Sequence, residues 1–273
     1  MFTIREIMAT KHRLQEGQDL NNDGDADVYD ANIMRRRTIL GKRVPFRMQI
    51  VYPDQETYDY YQTHNTLIQN AVNKWESIIT DATMPNSDYD LSIVTYKNTT
   101  PADEDGGMTL GFATPTDSSI TPSTGYMSMN TVFLDEPGYT DDIKTLVIVH
   151  EIGHVLGIGT RWGHLVTEEL TDTSRNETFS IYTGYNGVKQ YRALAGNDVR
   201  GIPIEDDHGA GTAGSHFEED EQRVIDGHVA PHMQYEAMSG LANYGSKVSK
   251  LSVAVLLDLG YGVDYSQADD YTL

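Results

Sequence analysis

The sequence predicts an α+β domain behind a small helical segment. Three observations carry that expectation. Strand-like runs and helical stretches follow one another without a strict βαβ alternation. One stretch, "VIVHEIGHVLGIG" at 147–159, reads as a helix that is apolar nearly all round yet carries two histidines and a glutamate. Residues 1–44 differ from everything after them, with helical spacing on both sides of a run rich in aspartate and asparagine.

In chain order, Phe2, Ile4, Ile7 and Met8, then Leu14, recur at helical spacing. "DLNNDGDADVYD" follows, then a second helical stretch, "ANIMRRRTIL". Gly41 and Pro45 mark the boundary with a second unit, 45–273. There "FRMQIVY" is a strand ended by Pro53. "HNTLIQNAVNKWESIIT" is an amphipathic helix whose apolar stripe is Leu67, Ile68, Ala71, Val72, Trp75, Ile78 and Ile79. "DLSIVTY", "MTLGFAT" and "GYMSMNTVFLD" are further strands. Asp141 and Asp142 suit the positive end of a helix that should stop near Gly157–Gly159. Residues 160–235 read as polar and loop-rich, with one short helix around "GVKQYRALAG". The last helix, in "KLSVAVLLDLGYGV", is closed by Gly260.

Composition narrows the function. Forty-one acidic against 20 basic residues give a net charge of −21, which repels a polyanion and argues against nucleic-acid binding. There is no cysteine, so no disulfide framework and no thiolate ligand; a metal must be held by nitrogen and oxygen. No apolar run approaches the roughly 20 residues of a membrane span. The start, "MFTIREIMATKHRL", lacks the apolar core of a signal peptide, which leaves a cytoplasmic place, packaging in a particle, or export by another route.

On a helix, residues four apart share a face, so His150 and His154 can aim at one ion. Neutral imidazole is a good zinc ligand. Glu151 points in a neighbouring direction, where it can take a proton from an attacking water and pass it to a leaving amine. This is the chemistry of the HExxH motif of zinc peptidases. The plain alternative is a pair of ordinary core histidines. Against it, placing His, Glu and His in an apolar helix costs several kcal/mol unless something satisfies them, and a metal does. Catalytic zinc takes a third protein ligand. Spacing leaves His164, His208, His216, His228, His232 or a carboxylate open for that place.

"DLNNDGDADVYD" matches the register of an EF-hand calcium loop. Asp19, Asn21 and Asp23 stand at positions 1, 3 and 5, Gly24 at 6, Asp25 at 7, Asp27 at 9 and Asp30 at 12. An aspartate at position 12 and the following Arg35, Arg36 and Arg37 make it similar to a dockerin repeat. Dockerins pair two such loops and this chain has one, so the expectation is one structural calcium, or docking of residues 1–44 onto a partner or larger assembly.

"HEIGHVLGIG" also resembles the start of a metzincin site, HExxHxxG. Thr160 stands where most metzincins carry the third histidine. The leishmanolysin-like branch inserts a subdomain there. Its bacterial-type members carry four further segments, and this chain has a counterpart of each, in order: "GTRW" at 159–162, "GTAGSHF" at 211–217, "EAMSG" at 236–240 and "LSVAVLLDLGYGV" at 251–263. The resemblance spans about 47–273, with an insert at about 160–215. It implies a metzincin-type zincin fold with a twisted mixed sheet, an active-site helix and a C-terminal lobe. It implies one catalytic zinc on His150, His154 and His216, Glu151 as general base, and Met238 in the turn beneath the metal. It further implies a polypeptide substrate paired with an edge strand, from "MTLGFAT" or "GYMSMNTVFLD", and an extracellular or particle-associated place. Departures are Phe217 for tryptophan, Ala237 for leucine, a long 218–235 connection carrying His228 and His232, and Gly240 where some metzincins have a tyrosine.

The reading is a zinc endopeptidase. Its competitor is a non-catalytic assembly or binding protein that keeps a structural zinc and docks through its N-terminal calcium unit; Glu151 would then have no use. Residues 1–44 acting as an inhibitory pro-segment is a third expectation.

Overall fold

The computed structural model describes residue 19 and residues 21–24, 45–81, 88–102, 107–172, 177–209 and 211–273. The two helical stretches expected within 1–44, and the boundary at Gly41, lie outside the described residues.

Strand β1 (Met48–Val51) comes first. Helix α1 (Gln55–Gln62) follows; its tyrosines and amides form no apolar stripe, and what starts it is Asp54, which caps Thr57 N–H at 2.7 Å. Sequence periodicity gave no sign of this helix. Helix α2 (Asn65–Ile78) buries Leu67, Ile68, Ala71, Val72, Trp75 and Ile78, the expected stripe. Strand β2 (Leu91–Asn98) turns Leu91, Ile93 and Thr95 inward at period two. Strands β3 (Gly111–Pro115) and β4 (Thr124–Asn130) follow. The strand expected to run through "TVFLD" stops early. The Asn130 side chain accepts from Val132 N–H and starts a short helix, α3 (Thr131–Asp135), that buries Phe133 and Leu134. Helix α4 (Asp141–Leu156) ends at Gly157, whose φ of 113° a side chain would strain.

The four strands lie in the order β1-β2-β4-β3, parallel except for β3, the antiparallel edge. Helix α4 packs on β3, β4 and α2. Trp75 of α2 is fully buried and donates its indole N–H to the Val149 carbonyl at 2.9 Å. Gly125 of β4 lies under Val155; a Cβ there would sit 2.1 Å from Val155 Cγ1. The missing side chain lets the helix lie directly on the sheet.

Residues 160–235 hold more regular structure than their polarity suggests. Strands β5 (Val166–Asp172) and β6 (Glu177–Tyr182), helix α5 (Tyr185–Ala195) and strand β7 (Ile202–Pro203) form a three-stranded antiparallel sheet with one helix. Strands β8 (Arg223–Ile225) and β9 (His228–Ala230) form a hairpin around Asp226 and Gly227, at φ 51° and 83°. That Asp-Gly pair is a two-residue hairpin turn, a signal present in the sequence. Helix α6 (Lys250–Asp258) is capped by Ser249 and followed by Gly260 at φ 102°. The architecture is α+β, as expected.

One carboxylate ties the insert to the terminal helix. Helix α5 begins at Gly184, which has no side chain to cap it. Asp258 of α6 supplies the acceptors instead. Its Oδ1 takes Asn186 N–H at 3.0 Å and Asn186 Nδ2 at 2.8 Å; its Oδ2 takes Gly187 N–H and Tyr182 Oη, both at 2.9 Å. Asp258→Ala should therefore lower stability by about 2–3 kcal/mol, the scale of a lost cap plus an unmatched donor. Urea unfolding checks this; a change below about 0.5 kcal/mol means that water replaces the carboxylate.

Candidate metal centre

His150 and His154 stand one turn apart on α4, and His216 comes to meet them from the far end of the insert. The three Nε2 atoms form a triangle with sides of 2.9 Å between His150 and His154, 3.0 Å between His154 and His216, and 3.1 Å between His150 and His216. Every Nδ1 is engaged by a backbone carbonyl: His150 with Ala237 O at 2.7 Å, His154 with Ile158 O at 2.9 Å, His216 with Thr212 O at 2.7 Å. A carbonyl only accepts, so each Nδ1 carries the proton and each Nε2 presents a lone pair. Three lone pairs converging on one point repel unless a cation lies between them.

The donors fit zinc. Zinc–nitrogen bonds of about 2.0–2.1 Å in a tetrahedral shell put ligand nitrogens about 3.3–3.4 Å apart, a few tenths of an ångström wider than this triangle. Burial holds all three imidazoles below their ordinary pKa, and the neighbouring rings add to it for His154 and His216, the latter at about 3. They are neutral at pH 7 and ready to coordinate.

Glu151 follows His150 on α4, between the two helix histidines. It is buried, its Oε2 has no hydrogen-bond partner, and burial pushes its carboxyl up to about 8. Gly111 on the edge strand β3 faces it closely: a Cβ there would stand 2.5 Å from Glu151 Oε1. The carboxyl thus sits between the active helix and the open edge of the sheet.

Met238 lies beneath, fully buried, with its sulfur against Gly153; a Cβ on Gly153 would meet Met238 Sδ at 2.5 Å. The turn holding it also supplies Ala237 O to His150, and Met238 O accepts from Phe217 N–H at 3.1 Å. Glu236, which sequence reasoning missed, organises this turn. Its Oε2 accepts Met238 N–H at 2.6 Å, and its Oε1 accepts Ser249 Oγ at 2.7 Å, Ser252 Oγ at 2.8 Å and Ser249 N–H at 3.2 Å. No local signal marks it, because its serine partners lie 13 and 16 residues further along the chain. Gly240 also has a structural reason: a Cβ there would lie 2.4 Å from Thr212 Cγ2 and 2.7 Å from Glu219 Oε1, which leaves no room for a tyrosine.

The other histidine candidates are elsewhere. His164 is exposed in a 3-10 turn, His228 is exposed on β9, and His208 belongs to a separate acidic cluster. His232 is partly buried and joins neither cluster. Of the calcium positions, Asp19, Asn21 and Asp23 are described; Asp25, Asp27 and Asp30 lie outside the described residues. Asp19 accepts Asp23 N–H at 3.1 Å and Gly24 N–H at 2.8 Å, and Gly24 has φ 97°, the turn expected at position 6. This half-loop rests on the C-terminal end of the chain through Asn21 O to Tyr265 N–H at 2.7 Å and Asn22 Nδ2 to Asp264 Oδ1 at 2.7 Å.

A family model described as leishmanolysin matches residues 56–272. Leishmanolysin of Leishmania chagasi is 31% identical over 135 residues, a stretch covering 47% of this chain and 20% of that protein. The matched stretch is thus about a fifth of that relative's length. The chain belongs to the leishmanolysin family.

Removing the Glu236 carboxylate leaves two serine hydroxyls and two backbone donors buried. Glu236→Ala should cost about 3–5 kcal/mol and weaken metal binding through the freed Ala237 carbonyl. Thermal unfolding with and without zinc reads both effects; an unchanged zinc-induced shift in melting temperature argues that His150 needs no help from this turn.

Proposed function

We propose that this leishmanolysin-family chain is a zinc-dependent endopeptidase, with His150, His154 and His216 as the metal ligands and Glu151 as general base. The observation that carries the proposal is the triangle of deprotonated Nε2 atoms beside a buried carboxyl whose Oε2 has no partner. Zinc on three imidazoles supplies a Lewis acid that polarises a peptide carbonyl and makes water acidic near neutral pH.

The chain's own residues do the rest. Glu151 takes the proton of the attacking water on its free Oε2 and delivers it to the leaving amine. Burial alone favours the protonated carboxyl, and a cation held on the neighbouring imidazoles would lower its pKa, so that Glu151 is ionised when it accepts the proton. The three backbone carbonyls on Nδ1 fix ring orientation and raise the basicity of the ligating nitrogens. The substrate lies along β3 as an added antiparallel strand, because β3 is the edge of the sheet whose Gly111 stands next to Glu151. Phe112, half-exposed on that strand, gives the substrate an apolar contact.

Glu151→Gln should keep the metal and lower kcat/KM on an unfolded polypeptide by about a hundred- to ten-thousandfold. Equal cleavage by both forms overturns the role of Glu151. His216→Ala should lose zinc by elemental mass spectrometry; zinc retained at the wild-type level removes His216 from the ligand set.

A further inference from the structure

A second group of metal-capable side chains lies outside the histidine triangle. Glu205, two residues past β7, His208 and Glu219 bring one ligand atom each to within 4.8 Å of one another. His208 Nδ1 is 3.2 Å from Glu205 Oε1 and 3.6 Å from Glu219 Oε1. Asp207 also contacts His208 Nδ1, and Asp220 Oδ2 is 3.9 Å from His208 Nε2. Glu205 and Glu219 are 1% and 0% exposed, and each has a carboxylate oxygen, Oε2 of Glu205 and Oε1 of Glu219, with no hydrogen-bond donor. Burying two carboxylates side by side is costly without a counter-charge. The nearby arginine, Arg223, is directed to Asp206 at 2.6 Å, Glu221 at 2.9 Å and Glu218 at 3.4 Å. Among the described residues, the basic group paired with both Glu205 and Glu219 is His208.

We propose that Glu205, His208 and Glu219 form a second divalent-cation site, selective for zinc-type first-row ions over calcium. One imidazole and two carboxylates suit such ions, whereas calcium takes oxygen ligands. Asp207 and Asp220 supply further negative charge at its rim. The site takes part in no chemistry. It is a strut for the third histidine of the triangle. Glu205 N–H donates to His216 O at 3.1 Å, Gly214 N–H donates to Glu205 O at 2.7 Å, and Gly240 N–H donates to Glu219 Oε2 at 3.0 Å. A cation joining Glu205 to Glu219 therefore clamps the loop that delivers His216 to the turn that holds Met238. The competing account is a single proton shared by the two carboxylates, and it requires no metal.

The proposal stands apart from the peptidase reading, and so does its test. Zinc is counted by elemental mass spectrometry in the full-length protein after dialysis against excess zinc. The wild type should hold two zinc ions per chain that depend on these clusters. His208→Ala should hold one, and His150→Ala/His154→Ala should also hold one. Adding Glu219→Gln to the double variant should remove it. His208 is partly exposed, so its alanine variant spares the buried packing. Zinc at about a hundredfold excess over Kd should raise the melting temperature of His150→Ala/His154→Ala by about 5 °C, and the rise should vanish when His208→Ala is added. Equal zinc in wild type and His208→Ala overturns the site. So does a double variant that binds no zinc but loses stability as pH rises through neutrality, the behaviour of a shared proton. Calcium binding that His208→Ala leaves unchanged overturns the place of the imidazole. Loss of peptidase activity alone bears on the histidine triangle and leaves this site standing.

Discussion

Three imidazole nitrogens that cannot donate are held within about 3 Å of one another, and much of the fold serves that arrangement. Their protons are committed on the opposite side of each ring, to carbonyls from three separate places. Ala237 belongs to the methionine turn, Ile158 lies just past the end of α4, and Thr212 lies in the loop that leads to His216. The ring orientations depend on three backbone segments being correct at once. No single element owns the site.

The close approach of α4 to its neighbours follows from the same need. Gly111 and Gly125 bring the sheet up to Glu151 and Val155, and Gly153 brings Met238 up to the helix. A helix so enclosed buries Val147, Ile148, Ile152, Val155 and Leu156, and carries Glu151 and His154 into the same apolar surroundings. Burial lowers the histidine pKa values and raises that of the glutamate, which leaves the ligands neutral and makes the glutamate's ionisation depend on a nearby positive charge.

How legible this was in the sequence depended on the range over which each signal acts. The α2 stripe, the HExxH pair and the closing Gly157 are local, and they read correctly from spacing. The position of His216 was not local: spacing left five histidines open, and the resemblance of "GTAGSHF" to a known segment pointed to one. The strands of 166–203 were missed because the insert reads as polar overall, although Phe179, Ile181 and Tyr182 on β6 are buried. The short α3 was missed because Asn130 capping overrides a run that looks like strand. Glu236, Asp258 and the Glu205–Glu219 pair were invisible in principle. Their partners come from distant parts of the chain, and a glutamate that accepts four hydrogen bonds reads the same as one in water.

That last point turns the acidic composition into a structural question. With 41 acidic and 20 basic residues, most carboxylates have no lysine or arginine to pair with. On the surface water answers; in the interior each carboxylate needs another solution. Glu218 is placed with Arg223 and with the backbone N–H groups of Asp220 and Glu221. Glu236 takes hydroxyl and amide donors and needs no cation. Glu151 is left with an unpartnered oxygen, which as an isolated buried group costs stability and which a cation on the three imidazoles beside it would ionise into a base. Glu205 and Glu219 have one backbone donor each, from Asp207 and Gly240, against the four donors of Glu236, and not the arginine of Glu218; the loop that delivers His216 depends on both. A chain poor in cationic side chains that buries two such carboxylates against one imidazole has few ways to neutralise them, and a bound cation does so while fixing the third ligand in place.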